Sequence, residues 1–328
     1  MMFSRRRLLH AGLLVPALPA LTTIAAAQSS GSYPNRALRL VVGFPPGGGN
    51  DIIARLLADK LGKSLAQTVI VENKPGAGGA VAAAFVKSQP ADGYTLMVGA
   101  SGAMVIGPAI GTPATYDTLA DFEPISILGT FPLLFSVNAQ SPHKTLAELV
   151  AWSKANPSSA NYASASPTFT LAAELLKLKT GAPLQRVTYR GTNDAVLAVL
   201  GGQVTAAMTD PLPAMPLLRD QKLRALAVTS ARRLDDLPDV PTMTEAQVDG
   251  VEAVFWSGLF APKNTPREIV TRLALEVKAA MQDAEVRERL RTLATDATSS
   301  TPAEFTERIG SELKTWSSVA KAANVTAE

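Results

Sequence analysis

Along most of the chain, short apolar runs alternate with longer stretches in which apolar side chains recur every three or four residues. The short runs predict strands at Leu38–Val42, Thr68–Glu72, Thr95–Gly99, Ile125–Leu128, Leu133–Val137, Asn161–Ala163, Arg186–Tyr189, Ala206–Thr209, Ala225–Thr229 and Gly258–Ala261. The longer periods predict helices over 50–63, 78–88, 145–155, 167–179 and 193–200, then over 266–281, 283–294 and 302–322 with no fresh strand between them. In the first helix Ile52, Ile53, Leu56, Leu57 and Leu61 form one apolar stripe that needs a sheet to cover it. Strands and helices in this order build α/β layers on mostly parallel sheets.

Helix starts carry chemical marks. Thr145 with Glu148, Thr265 with Glu268 and Thr301 with Glu304 have capping-box spacing, the last two with a proline next to the threonine. Five strands precede residue 140, a second set of strand–helix units follows, and the closing helices lack strands of their own. The economical arrangement is two α/β lobes, 33–131 plus 256–328 and 132–255, with a cleft between them. Leu237-Pro238-Asp239-Val240-Pro241 reads as the rigid return crossing.

Composition changes the picture first at the N-terminus. A basic start, an apolar stretch and Ala25-Ala26-Ala27 before Gln28 have the layout of a cleavable export signal, so residues 1–27 are set apart from the fold. Ser4-Arg5-Arg6-Arg7-Leu8-Leu9 also approximates a twin-arginine signal. Pro16 and Pro19 interrupt the run, which argues against a membrane anchor. Without Arg5, Arg6 and Arg7 the 31 basic residues fall to 28, equal to the 28 acidic ones, so there is no electrostatic case for nucleic-acid binding. Zero cysteines exclude disulfides, thiolate metal sites and a cysteine nucleophile.

In open α/β sheets ligands bind at the carboxyl ends of strands, so the loops there are the candidate site. After the first strand come Phe44, Pro45, Gly47, Gly48 and Gly49, and after the third Ser101 and Gly102. The second lobe offers Ser164, Ser166 and Thr168 after one strand and Tyr189, Gly191 and Thr192 after another, with Ser166 and Thr192 placed as helix N-caps. These loops supply hydrogen bonds, not nucleophiles, and helix N-termini behind them favour an anion, naturally a carboxylate. Asp210, directly after a strand, is placed to contact a ligand N–H or order cleft water, whereas Asp51 in a first helical turn has chiefly a structural role. Enzyme patterns fail one by one. A dinucleotide fold fits Glu72 but needs glycine where Ile52 stands, and no Gly-Lys-Ser/Thr follows the loop. Gly99-Ala100-Ser101-Gly102-Ala103 misses a nucleophile elbow, and His143 is the single histidine after residue 27, read as exposed before a cap. No catalytic residue, metal site or cofactor is expected.

The chain resembles the Bug family of extracytoplasmic solute receptors of tripartite tricarboxylate transporters. The resemblance is carried by Val42-Gly43-Phe44-Pro45-Pro46-Gly47-Gly48 with Asp51, by Val71-Glu72-Asn73-Lys74-Pro75-Gly76-Ala77-Gly78-Gly79, by Tyr189-Arg190-Gly191, by Pro238-Asp239-Val240-Pro241-Thr242 and by Trp256-Ser257-Gly258-Leu259-Phe260-Ala261-Pro262. It implies a type II-like, two-lobe periplasmic binding protein that closes on a small carboxylate and delivers it to integral membrane subunits. Implied ligands are dicarboxylates, tricarboxylates, acidic amino acids and aromatic acids. The chain departs from the family pattern at Phe169 and Thr170, where extra glycines and a histidine are usual. A dinucleotide-binding enzyme and a sensing adaptor are the alternatives.

Overall fold

A computed structural model describes residues 33–327, so the expected export signal at 1–27 lies outside the described residues. In chain order the elements are β1 (Leu38–Val42), α1 (Gly49–Leu65), β2 (Val69–Asn73), α2 (Ala80–Lys87), β3 (Thr95–Ala100), α3 (Gly107–Ala109), β4 (Phe122–Pro132), β5 (Leu134–Asn138), α4 (Leu146–Ala155), β6 (Asn161–Ser164) and α5 (Pro167–Thr180). Then come β7 (Gln185–Thr188), α6 (Thr192–Leu200), β8 (Ala206–Thr209), α7 (Pro211–Arg219), β9 (Leu223–Val228), β10 (Val254–Pro262), α8 (Arg267–Gln282), α9 (Ala284–Arg291), β11 (Asp296–Ala297) and α10 (Pro302–Ala323). A single 3₁₀ turn, Ala77–Gly79, precedes α2, and a π-helical turn, Gly102–Ile106, runs into α3.

Two sheets organise these elements: β11-β4-β10-β3-β1-β2 and β7-β6-β8-β5-β9. Both are mixed rather than mostly parallel. β1 pairs parallel with β2 and β3, and β6 with β7 and β8, while β10 runs antiparallel to β3 and β4 and β5 antiparallel to β8 and β9. The reason lies in the crossings. β5 and β10 each open just after the chain passes from one sheet to the other, so they start at the cleft where β1, β3, β6 and β8 end.

Leu133 alone separates β4 in one sheet from β5 in the other. Its N–H would lose a ladder partner there. Thr229, fully buried, supplies one: its Oγ1 accepts from the Leu133 N–H at 2.8 Å and donates to the Ala253 carbonyl at 2.6 Å. Backbone bonds from Thr229 N to Leu133 O and from Ala253 N to Thr229 O complete the junction. The return crossing is therefore at Ala253–Val254. The proline stretch expected there stays on the second sheet, where the Val228 N–H donates to Pro241 O and Leu237 and Val240 pack against the buried cluster that includes Leu134 and Val228.

α8 and α10 lie on the first sheet against β4. Phe305 of α10 meets Trp256 edge-on at 4.8 Å and Phe260 at 5.1 Å. Thr301 makes the full capping box with Glu304, and Thr145 caps α4 through the Glu148 N–H. Thr265 does not cap α8, because that helix starts two residues later and the hydroxyl donates instead to Pro262 O at 2.7 Å. His143 is buried, not exposed, because its ring packs on Trp152 at 4.8 Å.

Candidate functional site

A cavity of about 780 Å³ lies between the two sheets. That is ample for a ligand of drug-like size or smaller. Its first-lobe wall begins with Phe44 and the start of α1, Gly49 and Asn50. The first N–H that α1 uses internally is that of Ile52, bonded to Gly48 O, so the N–H groups of Gly49 and Asn50 have no intrahelical partner.

Asp51 secures this loop from behind. Its buried carboxylate accepts from the Gly47 N–H at 2.9 Å, from Asn73 Nδ2 at 2.9 Å and from Arg55 in a two-pronged pair at 2.8 and 3.0 Å. Burial pushes its pKa up, but the hydrogen bonds from Arg55, Gly47 and Asn73 and the Arg55 charge outweigh that and hold it at about 2. Asn73 also donates to Phe44 O at 3.0 Å, which ties the end of β2 to the loop after β1.

The rest of that wall comes from the segment after β3. Ser101 is buried, and its Oγ accepts from the Trp256 N–H at 3.3 Å. Gly102 faces the second lobe: a Cβ there would stand 3.4 Å from Thr168 Oγ1, so glycine allows the lobes to approach closely. Tyr116 lines the cavity with its hydroxyl committed to Ala103 O, and burial pushes that phenol up to about 12, so it stays neutral.

From the second lobe, Ser166 caps α5 by accepting from the Phe169 N–H, with Pro167 in the first turn where a missing N–H costs nothing. Thr168 and Phe169 face the cavity. At α6 the N-cap is Gly191, extended at φ −155°, and not Thr192. Thr192 is thereby the first helical residue, and its hydroxyl donates to Asp210 Oδ2 at 3.2 Å. Asp210 opens α7, a helix that Leu212-Pro213-Ala214-Met215-Pro216 conceals in the sequence. Burial raises the Asp210 carboxyl above its ordinary range, only partly opposed by the Thr192 hydroxyl.

Of the residues expected at the site, Phe44, Gly49, Ser101, Gly102, Ser166, Thr168, Thr192 and Asp210 come together around the cavity. Pro45, Gly47 and Gly48, exposed in the same loop, do not line the cavity. Ser164 is buried, donating to Ser166 O and bonded to Thr170 Oγ1, and so shapes the loop from within. Tyr189 packs on the second-lobe core, and Gly191 does not reach the cavity wall. Residues that sequence reasoning missed include Asn50, Ser257, Phe131, Leu293 and Thr295. Asn50 lay inside the glycine loop and could have been found; the others arrive from far along the chain without a local signal.

Asp210 is the one formally charged side chain on this cavity among the described residues; no Lys, Arg or His reaches it. No group of acidic, histidine or cysteine side chains among them could hold a metal. Donors on helix N-termini, hydroxyls and apolar walls between two α/β lobes define a solute receptor of the periplasmic binding-protein class. Residues 53–325 match the tripartite tricarboxylate transporter family receptor. The chain belongs to that family, and it is a substrate-binding receptor, not an enzyme. It is 34% identical to Protein BugT of Bordetella pertussis over 301 residues, covering 91% of this chain and 92% of that one. Among solved structures, Rpa4515 of R. palustris with adipate is 32% identical at a TM-score of 0.77, covering 90% of this chain and 99% of that one. MatC of Rhodopseudomonas palustris with bound malate is also 32% identical, at a TM-score of 0.73, covering 88% and 99%.

Proposed function

We propose that this receptor captures a small organic carboxylate between its lobes in the periplasm and delivers it to the integral membrane subunits of a tripartite transporter. The observation that carries this reading is the convergence of the N-terminal ends of α1, α5, α6 and α7 on one cavity that no basic side chain among the described residues reaches. A partly buried helix N-terminus contributes up to about 2 kcal/mol toward an anion, so several together suit a carboxylate without a salt bridge. Relatives seen with adipate and malate support the same class of ligand. Residues 1–27 serve as the cleavable export signal, and no helix among the described residues is long and apolar enough to cross a membrane. Residues 33–131 with 256–328 and residues 132–255 act as the two closing bodies. A ligand that touches both favours the closed state by its differential contacts.

Calorimetry and thermal shift with a carboxylate panel on the chain from Gln28 onward test this. Binding of at least one mono-, di- or tricarboxylate is expected. A response to NAD or ATP with none to any carboxylate would overturn the reading.

A further inference from the structure

We infer that Asn50, oriented by Ser257, is the side chain through which the first lobe recognises the ligand's anionic head group. The inference rests on the carboxylate reading above and assigns a residue to it. Asn50 lines the cavity in the first turn of α1. The Ser257 hydroxyl, buried on β10, donates to Asn50 Oδ1. With Oδ1 accepting from Ser257 in this orientation, Nδ2 is left as the free donor of the amide. Among the described residues no acceptor meets Nδ2.

The other polar side chains on the wall are hydroxyls, most already holding one partner, and Asp210. Ser101 Oγ accepts from Trp256, Ser166 Oγ from Phe169, the Thr192 hydroxyl donates to Asp210 and that of Thr295 to Leu293 O. Thr112 and Thr168 keep hydroxyls that can donate or accept, so they discriminate little between ligand groups. Asp210 can only accept while ionised. Asn50 therefore adds a side-chain donor beside the N–H groups of Gly49 and Asn50, which helix geometry leaves without intrahelical partners. Three donors at the positive end of α1 make a seat for a carboxylate oxygen and reject an ammonium or amide N–H. Asp51 holds the backbone of this seat from the far side, and Ser257 sets the side chain, so Ser257 is a positioning residue.

The test uses the wild-type chain, Asn50→Ala, Asn50→Asp, Ser257→Ala and the Asn50→Ala/Ser257→Ala double variant. Malate, adipate and benzoate are titrated calorimetrically, and ligand-free thermal unfolding monitors the fold. For whichever acid the wild type binds, Asn50→Asp is expected to weaken affinity by more than about tenfold and Asn50→Ala by about tenfold. Ser257→Ala should cost less, and its effect should vanish in the Asn50→Ala background, which a merely structural serine would not show. Unchanged affinity in both Asn50 variants overturns the assignment, and a Ser257→Ala effect undiminished in the double variant overturns the positioning role. If the wild type binds none of the carboxylates in the wider panel, the carboxylate reading itself fails, and this inference with it.

Discussion

Asp51 does not line the cavity, yet it sets the shape of the cavity's floor. The glycine loop has few side chains to fix it, so one buried carboxylate takes that role by gathering donors from Gly47, Arg55 and Asn73. The consequence shows in pH. The folded-state pKa of about 2 lies below the ordinary 3.8, so this carboxylate stabilises the fold above pH 4 and loses that contribution as pH falls through 2. Arg55 is half-exposed, and solvent screening brings the effect down to about 1–2 kcal/mol. Urea unfolding between pH 2 and 5 should show a steeper rise in stability for the wild type than for Asp51→Asn, and equal slopes would contradict this account. At this scale the sequence was readable where the chemistry is local. The Ser166 cap and the Thr301–Glu304 box need only neighbours three residues away. Thr192 was placed one residue off because a glycine can serve as N-cap, and its hydroxyl was taken by Asp210, eighteen residues on.

Elements were legible wherever periodicity ran undisturbed. β1 and β8 have the expected limits, and α5 and α10 come within a residue of theirs. α7 was hidden because three prolines read as a breaker, although Pro211 occupies the first helical turn, where proline is tolerated. β4 and β10 are longer than their apolar cores, since each pairs along the other's full length. Two substitutions probe how the elements lock together. Thr229→Val removes the acceptor for Leu133 N–H and the donor to Ala253 O at the crossings, and should cost about 2–4 kcal/mol, with Thr229→Ser recovering most of it. Gly258 lies under Phe305, whose ring would stand 2.3 Å from an added Cβ. Gly258→Ala should therefore destabilise by about 1–3 kcal/mol, because Phe305 is fully buried and has nowhere to move. Denaturant midpoints would check both, and a neutral Gly258→Ala would mean that α10 can shift off the sheet.

For the whole molecule, a cavity without a basic side chain among the described residues sets how binding responds to salt. A site that holds a carboxylate by N–H dipoles inside a closed cleft is screened far less than an exposed ion pair. Affinity for the ligand should thus change by less than about threefold between roughly 20 and 500 mM salt, whereas a steep loss would reveal a charged contact. The alternation of strands and helices, the cap signals and the glycine loop are local properties of the chain, and they determined the α/β class and two lobes and gave the expectation of a polar cleft. Which loops meet was a different matter. Ser257 reaches Asn50 across 207 positions and Thr229 reaches Leu133 across 96, and no local pattern encodes those approaches. Only the tertiary structure decided that the sheets are mixed, that Pro45, Gly47 and Gly48 do not line the cavity, and that Asn50 does. Strand direction after a crossing and the exposure of a loop side chain depend on where distant backbone comes to rest, not on the residues beside them.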